Sequence, residues 1–576
     1  KRQSVFIGMV IVAVQVSAMS TMVHAQSPAD DFARQQAEQQ KKQQIETLRT
    51  FTPNTIAEPA SPISQFQPQD ATCFEIDKLV MEGDARVSSK ALRKIADSYA
   101  GTCIGLADIQ NVLRDVTKVY LDAGYVSTRV YIPVQDIKAS RQFRIAVIEG
   151  RLTDIYYNGK AAGQDAASVI AGAFPGLKGT VLNMRDIEQG LDQMNRLASN
   201  NAKSELLPGR EEGSTILNVT NEPEKRWRVS VSHDNQGQAS TGYARYNMGL
   251  MLDDVLKIND LWSFNYQHTG KDYWHGNDHD GAGNSYSTSV SIPYGYWTYT
   301  VSGYSYGYHS MVAGNFGPIR TSGNSAELSG AASRVIHRDS DSISTLNLGL
   351  AYKETNNFLL GNRIEVGSRR YTVGSLGVSH SRRMLAGTWT FDLTYTQGLS
   401  LFGAVKKHEP AAGNANPQFS KLGATVSVAT PLAFAGQNFL LSNLLVGQYS
   451  ADNLLGAEQI SLGGFSNVRG SRESLLYANN GVFMRNELIW RTVPWSRQAL
   501  LAGALGELRP YVGLDYGRTF GRAAYEMTGG DLASWTVGAR LAGGRVSFDA
   551  GYSDVFVSTA GYNNVGLAFF NIAMNF

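Results

Sequence analysis

Charge, cysteine and long apolar runs are all scarce in this chain. Of its 576 residues only 18% are charged, against roughly 25% in an ordinary soluble domain. The 52 Lys and Arg nearly balance the 50 Asp and Glu, for a formal charge of +2. That balance offers no polyanion-binding surface and argues against a nucleic-acid partner. Beyond the N-terminus no run of about 20 apolar residues occurs, so no segment qualifies as a membrane-spanning helix. Two cysteines allow at most one internal disulfide. No phosphate-binding glycine loop is found, and no nucleotide or other cofactor is expected. What is plentiful is glycine (58), tyrosine (27) and phenylalanine (23), in a chain only 43% hydrophobic. A membrane β-barrel has this profile, because only alternate residues of each strand need be apolar.

Lys1 and Arg2 precede an apolar stretch from Val5 to Val16, and small residues follow up to Val23-His24-Ala25. This order predicts a secretory signal over residues 1–25, cleaved after Ala25. Export makes a disulfide permissible, so Cys73 and Cys103 form either one staple or a pair of buried thiols. Residues 26–50 predict a helix of strong helix formers with almost no apolar face. Such a helix cannot drive its own burial in a soluble core and belongs in a wet cavity or hangs loose. Residues 51–72, with Pro53, Pro59, Pro62 and Pro68 among Thr, Ser and Gln, read as a linker.

Two small α+β modules follow. In 73–150, FEIDKLVMEG alternates as a strand, two helices are spaced by Ala91, Leu92, Ile95 and by Ile109, Val112, Val116, and YVSTRVYI (125–132) and FRIAVIEG (143–150) close the unit. Residues 151–224 repeat this plan: a strand RLTDIYYNG, a short helix near Val169 to Phe174, a helix through Ile187, Leu191 and Met194, then strands 202–209 and 214–222.

From 225 to 576 no convincing helix appears. Alternating segments such as WTYTVSGYSYGYHS (297–310), STLNLGLAYKE (344–354) and TWTFDLTYTQG (388–398) are separated by polar, glycine-rich stretches. Roughly 350 residues at about 22 per strand and loop predict about 16 antiparallel membrane strands. The chain ends FFNIAMNF, with Phe570, Ile572, Met574 and Phe576 on one face; this apolar terminal strand is the expected assembly signal. Two decoys are set aside. Gly303-Tyr304-Ser305-Tyr306-Gly307 satisfies G-x-S-x-G but sits inside an alternating strand, with its tyrosines expected outward, rather than on a strand-turn-helix elbow. His275, Asp278, His279 and Asp280 lie in a hydrophilic glycine-rich loop that reads as solvated surface rather than a metal site. The aromatics of 294–308 read as an interfacial girdle or lipid-facing stripe.

Signal, polar helix, proline-rich linker, two α+β modules and a terminal barrel resemble the architecture of the two-partner secretion transporters, the TpsB branch of the Omp85 superfamily. The local sequences carrying the resemblance are YLDAGYVSTRVYIPVQDI (120–137) with the paired Cys73 and Cys103, LLPGREEGSTILNV (206–219), DNQGQASTGYAR (234–245), GQYSADNLLGAEQISLGGFSNVRGSRE (447–473), MRNEL (484–488) and YVGLDYG (511–517). The haemolysin and contact-dependent-inhibition exporters are the most similar types. The resemblance implies two POTRA modules in the periplasm and a barrel in the Gram-negative outer membrane. It further implies a plug helix over 26–50 and a loop near 461–477 folded back into the lumen, its Val468-Arg469-Gly470-Ser471 motif pairing Arg469 with Asp515. Ser471 stands where the family usually has an aromatic, and Gly513 where it has Phe; both departures remove apolar packing from the loop tip. The implied partners are a secreted TpsA-type exoprotein, outer-membrane lipids and the barrel assembly machinery. An Omp85-type insertase for outer-membrane proteins is the alternative, distinguished by more POTRA modules and no plug helix.

Overall fold

The computed structural model describes residues 28–49 and 73–576, apart from 84–86, 88, 162, 212, 272–280, 315–316, 522–528 and 560–565. The signal segment, the proline-rich linker and the His275 to Asp280 loop fall outside the described residues.

In the first module, strands Lys78–Glu82 and Gln142–Ile148 run parallel and Arg129–Tyr131 pairs antiparallel with the latter as an edge. Helices Ser89–Tyr99 and Leu106–Asp122 cover one face, where Val112, Val116 and Tyr120 meet Phe143 and Ile145. The opening strand is broken at Asp77 into Phe74–Ile76 and Lys78–Glu82, and Phe74–Ile76 pairs with a short strand Thr102–Ile104 between the helices. The strand expected over 125–132 shrinks to Arg129–Tyr131. Gly124 ends the preceding helix at φ +92°, and the amides of Tyr125 and Thr128 are taken up in turns. Cys73 and Cys103 are joined by a disulfide, Cα to Cα 5.4 Å, so the staple is the alternative realised.

The second module is a four-stranded mixed sheet, with Arg151–Tyr157 and Ser214–Thr220 parallel at its centre. Helix Met184–Asn195 is capped by the Asn183 side chain and buries Ile187, Leu191 and Met194 against Leu152 and Leu217. Its opposite face is polar, and that face docks on the barrel. Gln193 donates to the Gly295 carbonyl at 3.0 Å, Arg338 donates to Glu188 at 3.2 Å and pairs with Asp192 at 2.7 Å, and the Tyr296 hydroxyl donates to Asp186 at 2.5 Å. The second module is thereby pinned to the turns at the near end of the barrel.

The barrel has sixteen antiparallel strands, from Trp227–Asp234 to Leu567–Asn575. It closes by pairing first to last, from Ser230 with Asn575 to Asp234 with Asn571. Side chains alternate across the wall: in the last strand Met574 and Phe576 are exposed on the outer face that also carries Phe570 and Ile572, while Phe569 points in and is buried. Among the described residues, the strand reading of 225–576 misses one α-helix, Ala499–Leu505, in the connection between the twelfth and thirteenth strands at the end of the barrel that faces the two modules. Its ALLAGAL sequence has no polar residue to set a helical period.

The disulfide closes a loop of 30 residues. Replacing either Cys73 or Cys103 by Ser should destabilise the first module by about 3–4 kcal/mol through the larger entropy of its unfolded state. Thermal unfolding of the full chain with and without reductant should show the loss in wild type only on reduction and in the variants always.

Candidate functional site: the barrel lumen

The connection between the eleventh strand, Gln437–Tyr449, and the twelfth, Asn480–Arg491, turns back into the barrel as a hairpin of Ile460–Gly463 with Ser474–Ala478. A water-filled lumen gives no reason for a hairpin to stay, so the hairpin brings its own core. Ile460, Leu462, Val468 and Leu476 pack on Phe483, Leu532 and Val555 of the wall.

Arg469 stands at the tip, 3% exposed. Its Nε donates to Asp515 Oδ2 at 2.6 Å and its Nη2 to Oδ1 at 2.9 Å, a fork geometry that only arginine supplies. Its Nη1 donates to Glu487 Oε1 at 2.5 Å. Glu487 also accepts from Arg540 at 2.7 and 3.0 Å, and Arg540 lies 3.8 Å from the Tyr511 ring centroid and reaches Asp549 at 3.0 Å. The arginine is thus held by two carboxylates within a wider network. Glu487 was missed in the sequence, although it belongs to the MRNEL segment and shares the inward register of Arg485.

Two glycines fit the tip to the wall. Gly470 takes φ +108°, and a Cβ there would meet Val555 Cγ2 at 2.8 Å. At Gly513 a Cβ would lie 2.4 Å from Arg469 Nη2, so the residue expected to weaken the seat instead makes room for the guanidinium. Ser471 is likewise part of the fastening: its hydroxyl accepts from the Gly464 amide at 3.1 Å and donates to the Glu473 carbonyl at 2.9 Å. Beside it, Val468 and Leu462 are fully buried.

A second charged seat lies higher in the same connection. Glu458, in the turn Gly456–Glu458, accepts from Lys421 at 2.6 Å, Lys353 at 2.8 Å and the Tyr371 hydroxyl at 3.2 Å. Burial alone would raise its carboxyl pKa, but Lys353 and Lys421 hold it well below the usual carboxylate range.

Helix Pro28–Arg49 occupies the remaining lumen. Its Asp30 accepts from Arg369 Nη2 with both oxygens at 2.9 Å. Arg34 donates to the Gly456 carbonyl at 2.5 Å and lies 4.5 Å over the Tyr477 ring. Glu38 accepts from the Ser466 hydroxyl, and Lys41 pairs with Asp392 at 3.3 Å. Burial pushes the Glu38 carboxyl up and the Arg34 guanidinium down, so each pays a desolvation cost for being charged in the lumen. Phe32 stacks on Tyr306 at 4.0 Å and meets Tyr304 edge-on at 5.8 Å. Tyr304, Tyr306 and Tyr308 therefore face the lumen, not the lipid. Gly303, Ser305 and Gly307 take the outer positions, since strand alternation obeys the register and the tyrosines find an aromatic partner only inside. Ser305 thus points out of the lumen. Among the described residues no cluster of metal-ligating side chains occurs.

Asp515→Asn should unseat the loop tip at a cost on the order of 3 kcal/mol, because the buried Arg469 loses its bidentate carboxylate and keeps only Glu487. Gly513→Ala should act in the same direction by displacing the guanidinium. Protease cleavage within 464–473 of the folded barrel is the readout, with wild type protected. Glu458 works with a defined sign. Its folded pKa is depressed, so its contribution is complete above the ordinary carboxylate value of 4.5 and fades only as pH falls toward the depressed value. Protection of 450–459 should therefore be equal at pH 7 and at pH near 5, whereas Glu458→Gln should reduce it at both.

Residues 213–541 match the family described as haemolysin secretion/activation protein ShlB/FhaC/HecB. Residues 74–150 match the ShlB-type POTRA domain and 151–208 a further POTRA domain. The outer membrane transporter CdiB of Dickeya dadantii (strain 3937) is 30% identical over 540 residues, covering 92% of this chain and 91% of that protein. The hemolysin transporter protein ShlB of Serratia marcescens is 30% identical over 487 residues, covering 84% and 81%. The solved structure of CdiB from Escherichia coli superposes with a TM-score of 0.83 at 28% identity, over 96% of this chain and 99% of that one. Sixteen strands closed over a lumen, two POTRA domains at the periplasmic mouth and relatives matched over nearly their whole length leave one assignment: the chain belongs to the haemolysin secretion/activation family, the outer-membrane transporters of two-partner secretion.

Proposed function

We propose that this transporter carries an unfolded TpsA-type exoprotein, of the haemolysin or contact-dependent inhibition kind, from the periplasm through the lumen to the cell surface without nucleotide. The single observation that carries the reading is the helix Pro28–Arg49 inside the barrel, held by polar contacts to the wall and to the inward loop. In the resting state this helix is the plug, and the 51–72 linker lets it leave for the periplasm. Cargo is captured as an added strand: Arg129–Tyr131 is a sheet edge, and Tyr131, Ile132 and Val134 beside it are exposed. The signal over 1–25 delivers the chain to the periplasm, and the assembly machinery reads the terminal face of Phe570, Ile572, Met574 and Phe576. Once the plug is out, the extended cargo passes the Arg469 loop, and folding outside makes the movement irreversible. The sequence offers no placed nucleophile, acid and base, and the reading requires none.

Two measurements test it. Co-expression with the large exoprotein encoded beside it should place that protein's N-terminal fragment outside the cell with the wild type and leave it in the periplasm with Arg469→Ala. A correctly inserted wild-type barrel that exports nothing would overturn the reading. In planar bilayers, Arg369→Ala should increase open-channel events several-fold over wild type, because about 1–3 kcal/mol of charge-assisted bonding to Asp30 is lost; an unchanged opening frequency would remove the plug assignment.

A further inference from the structure

The periplasmic rim of the barrel carries apolar side chains with nothing covering them. Helix Ala499–Leu505 lies across the ends of strands thirteen to fifteen, where the Arg545 amide donates to the Gly503 carbonyl at 3.4 Å and Trp495 Nε1 donates to the Gly506 carbonyl at 2.7 Å. These contacts fix its inner side. Its other side presents Leu500, 90% exposed, and Leu501. The same pattern recurs at the two neighbouring turns: Leu385, 79% exposed, between strands eight and nine, and Phe434, 76% exposed, between strands ten and eleven. Water is a poor solvent for such a collar, and a helix without a polar residue has no aqueous face at all.

We propose that this collar, with Ala499–Leu505 as its deepest element, is an interfacial anchor seated in the phospholipid leaflet on the periplasmic side. Three features select lipid over a protein occupant. The collar is continuous with the lipid-facing wall, since Leu488, Trp490, Val512 and Phe548 are exposed on the outer faces of the adjoining strands. It extends over three consecutive turns of the rim, between strands eight and thirteen, as one sector of a bilayer surface would require. Arg497 and Arg545 flank the helix, while the nearest acid, Glu507, is occupied by Arg491 at 2.6 Å and Arg509 at 2.8 Å; the net positive charge matches phosphodiester headgroups. The second POTRA domain docks at the turns around Asn259, Gly295 and Arg338, on strands two to seven; the Ala499–Leu505 anchor holds the opposite side of the rim, between strands twelve and thirteen, and so resists tilting of the barrel when a chain is drawn through it.

The test uses the full-length protein in phosphatidylethanolamine–phosphatidylglycerol vesicles, with an environment-sensitive nitrobenzoxadiazole probe on L500C. The native cysteines are taken up in the disulfide. The reference is V134C in the first POTRA domain, where the side chain is fully exposed. The probe at 500 should emit at shorter wavelength and lose about half its intensity or more when lipids carry a nitroxide near the top of the acyl chain, as expected for burial about 5–10 Å deep; the probe at 134 should do neither. Equal, water-like emission at both sites overturns the proposal. So does a shifted but unquenched probe at 500, which would mean that protein, not lipid, covers the helix. Either failure leaves the export reading untouched, because the barrel and its lumen do not depend on this contact.

Discussion

A backbone crossing hydrocarbon has no water to bond to, and that constraint shapes everything else in this molecule. Sixteen strands meet it by closing first to last, which leaves no strand edge in the lipid. Closure at that strand number has a consequence. The interior is too wide for wall side chains to fill, and an empty lumen is an open pore. The chain fills it with two elements of its own, the inward hairpin and the N-terminal helix, and the chemistry of the site is the chemistry of how each is held.

They are held differently. The hairpin combines an apolar core around Leu462 and Val468 with the two-carboxylate clasp on Arg469, so removing it would expose hydrocarbon and strand a buried charge together. The helix contributes Ala29 and Phe32 to a small aromatic cluster and otherwise relies on separate polar contacts from Asp30, Arg34, Glu38 and Lys41. Polar contacts in a wet lumen exchange readily for water, with little net change in free energy. Of the two fillers, the helix is therefore the one that can leave at modest cost. Several links join them: Arg34 bonds the Gly456 carbonyl, two residues from Glu458 and its lysines, and lies over the Tyr477 ring, while Glu38 accepts from Ser466 near the loop tip.

The architecture was legible because each part has its own period. Alternation at period two marks the barrel, helical spacing marks the POTRA helices, and glycine-rich breaks separate them. Where that logic failed, a local signal was absent or was read against the wrong environment. Tyr304, Tyr306 and Tyr308 alternate as a lipid-facing stripe would, and period alone cannot tell inside from outside; the partner that decides it, Phe32, lies some 270 positions away in the chain. Ala499–Leu505 is too short and too uniformly apolar to show a moment. Arg469 and Asp515 were found through their flanking motifs, but Glu487 needed the register that sets it beside them.

Ser471 and Gly513 show how a departure from a family pattern is to be weighed. Measured against an aromatic and a Phe, each is a loss of apolar area. Measured against its own surroundings, each is part of a fit. The volume absent at Gly513 is the volume the Arg469 guanidinium occupies, 2.4 Å from where a Cβ would stand, and the Ser471 hydroxyl ties the two limbs of the loop together. Gly513 meets Arg469 directly, while Ser471 acts on the loop backbone on either side of it. A Phe restored at 513 would collide with the guanidinium unless the loop took another path, so glycine at 513 and the seated arginine belong together.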